Sequence, residues 1–227
     1  MNIRSKLLLS VGAVGTAAAL VGSGTLATFS AQVTNPSNTF ADGTLVLSDK
    51  VGSGTTCYST GAGTSTDANV NTACDAAFNL TVKKPGDSTT GNLTLKDEGS
   101  LAATALKTFA TTCTDSDASG ETYHGTGSLC SKVQLYIQQY SDAQYTTPSV
   151  CLYGAATVPG TCDFSDTAKT LGAFATAYPS STNALGLGAV SAGSSVYLKV
   201  GVKLPSTADN TVQGRKAAID VSWMLEQ

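Results

Sequence analysis

The fold is decided near the end of the chain, by Ser195-Val196-Tyr197-Leu198-Lys199-Val200-Gly201-Val202-Lys203-Leu204. Apolar and polar residues alternate here without a break. Val196, Leu198, Val200, Val202 and Leu204 fall on one face, and Tyr197, Lys199 and Lys203 on the other. A period of two is that of a β-strand with one buried side. After a polar Pro/Asn/Gly connection the pattern resumes: Ile219, Val221, Trp223 and Leu225 alternate with Asp220, Ser222, Met224 and Glu226. These two half-buried strands are read as the rigid part of a β-sandwich.

Working outward, Lys132–Gln138 repeats the pattern, with Val133, Leu135 and Ile137 inward. Asn92–Lys96 does so with Leu93 and Leu95, and Ala76–Lys83 with Phe78, Leu80 and Val82. Between these last two, Pro85-Gly86-Asp87 is a turn, because Pro presets φ at one corner and Gly takes positive φ at the next. The two runs therefore read as a hairpin. Thr44–Ser48 is a further strand, and Ser53–Thr72 a Gly/Ser/Thr/Asn-rich loop. Val150 and Leu152 mark a short strand beside Cys151. Leu101–Phe109 mixes helix-favouring Ala with strand-favouring Thr and Phe, which leaves helix and strand both open. Thr167–Ala175 reads as a short helix, with Leu171 and Phe174 on one side and Asp166 as its cap.

Composition agrees. The chain has 227 residues, 13% of them charged, and a net charge of −3. Few charges with abundant Thr, Ser, Gly and Ala suit an extracellular β-protein. With no Lys/Arg run, nucleic-acid binding has no support. Met1–Ala27 reads as a cleaved signal peptide: Arg4 and Lys6 precede the apolar run Leu7–Val21, and small residues follow. That run falls short of the roughly 20 residues of a spanning helix, so no membrane span is expected after cleavage. Six cysteines in an exported chain imply disulfides, with 15 connectivities open. Each of the pairs Cys57–Cys74, Cys113–Cys130 and Cys151–Cys162 brackets a Gly/Ser/Thr-rich loop, and this sequential pairing is the expected one.

Three segments carry a family resemblance. Gly24-Thr25-Leu26-Ala27-Thr28-Phe29-Ser30 is followed by Asn38-Thr39-Phe40-Ala41-Asp42-Gly43-Thr44-Leu45-Val46-Leu47. Later come Lys83–Leu101, with its Pro-Gly-Asp turn and Gly-Ser-Leu end, and Tyr197–Gly214, with Asp209-Asn210 and Gln213-Gly214. In this order they resemble the TasA/camelysin family of secreted bacterial proteins. The match covers both ends of the chain and leaves out residues 50–75 and 112–185. The resemblance implies a jelly-roll β-sandwich, a strand over Leu101–Phe109, cleavage beside Ala27 or Thr28, and assembly into extracellular fibres of a biofilm matrix. The partners it implies are other copies of the chain, head to tail, a dedicated signal peptidase, and an accessory anchor or cap protein.

The resulting organisation is a signal peptide over 1–27, an N-terminal arm over 28–41 and one β-sandwich domain over 42–227. In the arm, Phe29, Ala31 and Val33 point one way and Ser30, Gln32 and Thr34 the other. Asn35-Pro36-Ser37-Asn38 then breaks the strand, since Pro removes a ladder donor. Such an arm can serve as a donor strand for a neighbour.

Catalysis finds little footing. Some relatives are labelled metallo-endopeptidases, but there is no H-E-x-x-H, His124 is the single histidine, and no G-x-S-x-G is present. The expectation is a non-enzyme without cofactor, a secreted metallo-endopeptidase being the weakest alternative. Asp115 and Asp117 resemble half a calcium loop, but Thr126 stands where the bidentate Glu belongs. Leu204-Pro205-Ser206-Thr207-Ala208 mimics a sortase signal without the apolar span and basic tail. Asn79 and Asn92 match the glycosylation pattern inside strands. Tyr136, Tyr140, Tyr145, Tyr153 and Tyr178 leave open a second function, a monomeric glycan-binding surface module.

Overall fold

Alternating patterns of this kind build sheets, and sheets dominate. The computed structural model describes residues 43–60, 74–78 and 84–227, all within one unit, Asp42–Gln227. The strands are β1 Leu47–Val51, β2 Cys57–Tyr58, β3 Ser88–Asp97, β4 Ala103–Ala110, β5 Thr114–Asp117, β6 Gln134–Tyr140 and β7 Pro148–Tyr153. They continue with β8 Ala155–Val158, β9 Thr161–Asp163, β10 Leu185–Val190, β11 Ser195–Lys203, β12 Arg215–Ala218 and β13 Val221–Glu226. Among the described residues one α-helix, α1 Leu171–Ala177, lies between β9 and β10, and short 3-10 turns cover Ser181–Asn183 and Asn210–Val212.

A six-stranded sheet has the order β2-β1-β3-β11-β6-β7, and a three-stranded sheet the order β10-β4-β13. The pairs β12-β5 and β8-β9 are small ribbons. Every pairing among the described residues is antiparallel. The two larger sheets share one apolar core. Leu93 and Leu95 of β3, Leu135 and Ile137 of β6, and Leu198, Val200 and Val202 of β11 enter it from one layer. Leu106 and Ala110 of β4 and Leu187 and Val190 of β10 enter from the other, and Leu171 and Phe174 of α1 join them. The fold is an all-β sandwich stapled by three disulfides. Cys57–Cys74, Cys113–Cys130 and Cys151–Cys162 pair sequentially, with Cα separations of 5.5, 5.9 and 4.9 Å.

Several details differ from the sequence reading. β1 starts at Leu47, not Thr44, and Ser53–Thr72 contains β2. Residues 76–78 are not strand; the rest of the expected strand, with Leu80 and Val82, lies outside the described residues. β3 takes β1 and β11 as its neighbours. The turn itself is as read: Asp87 N donates to Lys84 O at 3.1 Å, and Gly86 has φ +98°. α1 is capped by Thr170, whose Oγ1 accepts from Ala173 N at 3.2 Å. Asp166 instead closes the preceding turn by accepting from Ala168 N. The cap is the residue just before the first helical turn, and the helix begins later than Thr167. Ambiguous Leu101–Phe109 is β4 at the centre of the smaller sheet, where burial and pairing override Ala's helical preference.

The two C-terminal strands sit in different sheets. The run from Ile219 to Leu225 is interrupted at Ile219–Asp220, where Asp220 O accepts from Thr111 N. Ile219, Val221, Trp223 and Leu225 pack against the core but stay half-buried.

Candidate functional site

Because β3, β11 and β6 bury one face, the alternate residues of all three form a common outer face. The register sets them in rows. Thr94, Tyr197 and Tyr140 lie side by side, then Asn92, Lys199 and Gln138, then Thr90, Gly201 and Tyr136, then Ser88, Lys203 and Gln134. Lys50 of β1 extends the first row beside Thr94.

The β6–β7 connection folds back onto this face. Asp142 organises it. Its Oδ1 accepts from Gln144 N, Thr146 N and the Thr146 hydroxyl at 3.0, 3.0 and 3.1 Å, and its Oδ2 from Thr147 N at 2.7 Å. These donors, Thr146 N first, hold the carboxyl down at a pKa of about 2. Tyr145 is thereby fixed at φ +57°, the one non-Gly residue with positive φ among the described residues. A bulky residue there is strained, and surrounding contacts must hold it. Its ring meets Tyr140 and Tyr197 edge-on, each at 5.9 Å between centroids. Its hydroxyl is 2.7 Å from Thr94 Oγ1, and its carbonyl accepts from Lys199 Nζ at 3.4 Å. The Lys199 ammonium also lies 4.5 Å from the Tyr140 ring centroid.

One end of the face carries a second aromatic pair. Tyr136 and Phe164 are 4.8 Å apart, and Lys203 Nζ is 5.8 Å from the Phe164 ring. Gly201 is required beneath Tyr136, since a Cβ there would overlap that ring. Two buried glutamines tie the neighbouring chain down. Gln138 Nε2 donates to Val150 O and Gly160 O at 2.9 and 2.8 Å, and its Oε1 accepts from Cys162 N. Gln134 Nε2 donates to Phe164 O at 2.8 Å. Burying an amide side chain is costly unless it is bonded, and here the bonds stitch loops to β6.

The tyrosines suggested by sequence thus divide. Tyr136, Tyr140 and Tyr145 are on the outer face. Tyr153 and Tyr178 pack around Phe174, at 4.9 and 5.2 Å, and burial pushes the Tyr153 phenol up to about 12. Tyr197, Lys199 and Phe164 complete the cluster. The alternation already put Tyr197 and Lys199 on the outer side, but nothing in it announced that β6 is their neighbour.

The remaining candidates do not converge. Asp115 and Asp117 belong to β5, which is strand and not a loop. Asp115 Oδ1 accepts from Leu129 N and Cys130 N at 2.7 and 3.2 Å. Asp117 is paired with Arg215, and His124 Nδ1 lies 2.8 Å from Gly214 O. No three His, Cys, Asp or Glu side chains gather as metal ligands among the described residues. In the sortase-like run, Leu204 is buried in the core and exchanges backbone hydrogen bonds with the Pro85–Asp87 turn. An open hollow of about 310 Å³ beside α1 is lined by Thr112, Cys113, Gly172, Ala175, Thr176 and Pro179, none of them ionisable. Ala27 and Thr28 of the expected cleavage site, the expected donor strand Phe29, Ala31 and Val33, and Asn79 lie outside the described residues.

No family model matches the chain, and no curated protein is found similar to it. Three disulfides are compatible with an extracellular protein. Among the described residues, no helix is long and apolar enough to cross a membrane.

Proposed function

We propose that the chain is a secreted structural protein that polymerises into extracellular fibres, its N-terminal arm adding a strand to the next copy. The reading rests on the smaller sheet. β13 is an edge strand, and among the described residues nothing pairs with its outer side. Beside that edge Ile219, Val221, Trp223 and Leu225 are packed on the core yet half-exposed. An edge strand with apolar side chains at its margin is a template for another strand. The alternation of Phe29, Ala31 and Val33 supplies one of matching character. A head-to-tail contact of this kind does not close on itself, so it propagates as a filament. The resemblance to the TasA/camelysin family supports the same reading, together with its jelly-roll topology and matrix location. Negative-stain imaging of the secreted, processed chain over a range of concentrations is the test. Filaments that lengthen with concentration are expected; uniform single particles at every concentration would overturn the proposal.

A further inference from the structure

We propose that the outer face of the six-stranded sheet binds an acidic polysaccharide, a chain of uronate sugars lying along β11. Charge is the first ground. In a chain of net charge −3, Lys50, Lys199 and Lys203 all stand on this face. None of the three makes an ion pair among the described residues. The nearby carboxylates are occupied elsewhere. Asp142 is held by its own loop, Asp163 by Thr157 and Ser165 N, and Glu98 by Lys96. No carboxylate among the described residues neutralises the three cations, so a ligand's anions can, and ammonium–carboxylate hydrogen bonds are the strong kind.

Spacing is the second ground. Lys199 and Lys203 are four residues apart on one strand, so their Cα atoms are about 13 Å apart at ~3.3 Å per residue. A ligand that meets both is an oligomer with repeated charge. The third ground is the surface between the cations. Tyr197, Tyr140 and Tyr145 offer rings, amphipathic surfaces suited to the apolar faces of sugars, and Asn92 and Thr94 offer hydroxyl partners. Tyr145 is held in a strained conformation by Asp142 and Thr94, so this part of the face is pre-shaped and costs little ordering on binding. The inference does not depend on polymerisation.

Native gels containing polygalacturonate, neutral dextran or single-stranded DNA provide the test, using the secreted chain, its Lys199→Gln/Lys203→Gln variant and a Tyr197→Ala variant. The parent should be retarded by polygalacturonate alone. The double lysine variant, which leaves every ring in place, should bind at least fivefold more weakly at an unchanged melting temperature. Tyr197→Ala should weaken binding as well, with the lysines intact. No retardation of the parent, equal retardation by dextran or DNA, or undiminished binding by the lysine variant would each overturn the proposal.

Discussion

β11 and β13 carry nearly the same message in sequence and meet different fates. Both alternate cleanly over several residues. β11 lies between β3 and β6 in the larger sheet, and Leu198, Val200 and Val202 are at most 2% exposed. β13 borders a sheet of three, with β4 on one side, and its apolar residues stay half-buried. Periodicity tells which residues share a face; depth depends on how many strands flank that face and what lies opposite. The difference also divides the labour. The well-flanked strand buries its inner side completely and displays a decorated outer face, whereas the poorly flanked one has an outer edge with which no strand pairs among the described residues.

The sharpest way to break this comparison is to truncate each strand. Leu198→Ala should cost about 4 kcal/mol in urea denaturation, because the side chain is fully enclosed and its cavity has no easy collapse. Replacing Cys113 and Cys130 with Ala comes next, at roughly 3 kcal/mol for a loop of this size. Cys113 follows β4 of the smaller sheet and Cys130 precedes β6 of the larger, so amide exchange should rise first in β4 and β13. Equal acceleration in β11 would show that the two layers do not differ in this way. Trp223→Ala should cost only about 2 kcal/mol despite its larger side chain, since a half-exposed residue loses less burial. A cost above that of Leu198→Ala would reverse the assigned depths.

The smallest effect concerns β1, at the margin of the larger sheet. Asp49 is raised to a pKa of about 6, by burial first and by Asp75 second, and its Oδ1 has no hydrogen-bond partner among the described residues. The folded state holds this proton more tightly than the unfolded chain does. Its ionisation therefore removes stability as pH rises from about 4 to about 6, with no further loss above. Asp49→Asn should melt higher than the parent at about pH 7.5, and the gain should vanish near pH 3.5. A gain that persists in acid would mean that charge is not its cause.

Much of the fold was legible because local rules governed it. Pro85-Gly86 dictates its turn through φ, and the inner faces of β6 and β11 follow from alternation. Cys113–Cys130 and Cys151–Cys162 join the flanks of short loops. What escaped was set by distant neighbours. Gln134 and Gln138 look like ordinary outward polar residues, and only the loops laid over β6 make them buried clamps. Thr170 caps α1 because Leu171 is drawn into the core, which Asp166 could not reveal. The Tyr140–Tyr145–Tyr197 cluster joins residues more than fifty positions apart through the β11–β6 register and a loop that folds back.

The central claim, that the arm completes a neighbour's sheet, is tested most directly on the arm itself. The processed chain, a chain beginning at Asn38 and the Phe29→Asp variant can be followed side by side by light scattering, with circular dichroism as the check on folding. The account predicts that all three are folded and that only the processed chain grows into fibres. Fibre growth by either altered chain as readily as by the processed one would contradict it.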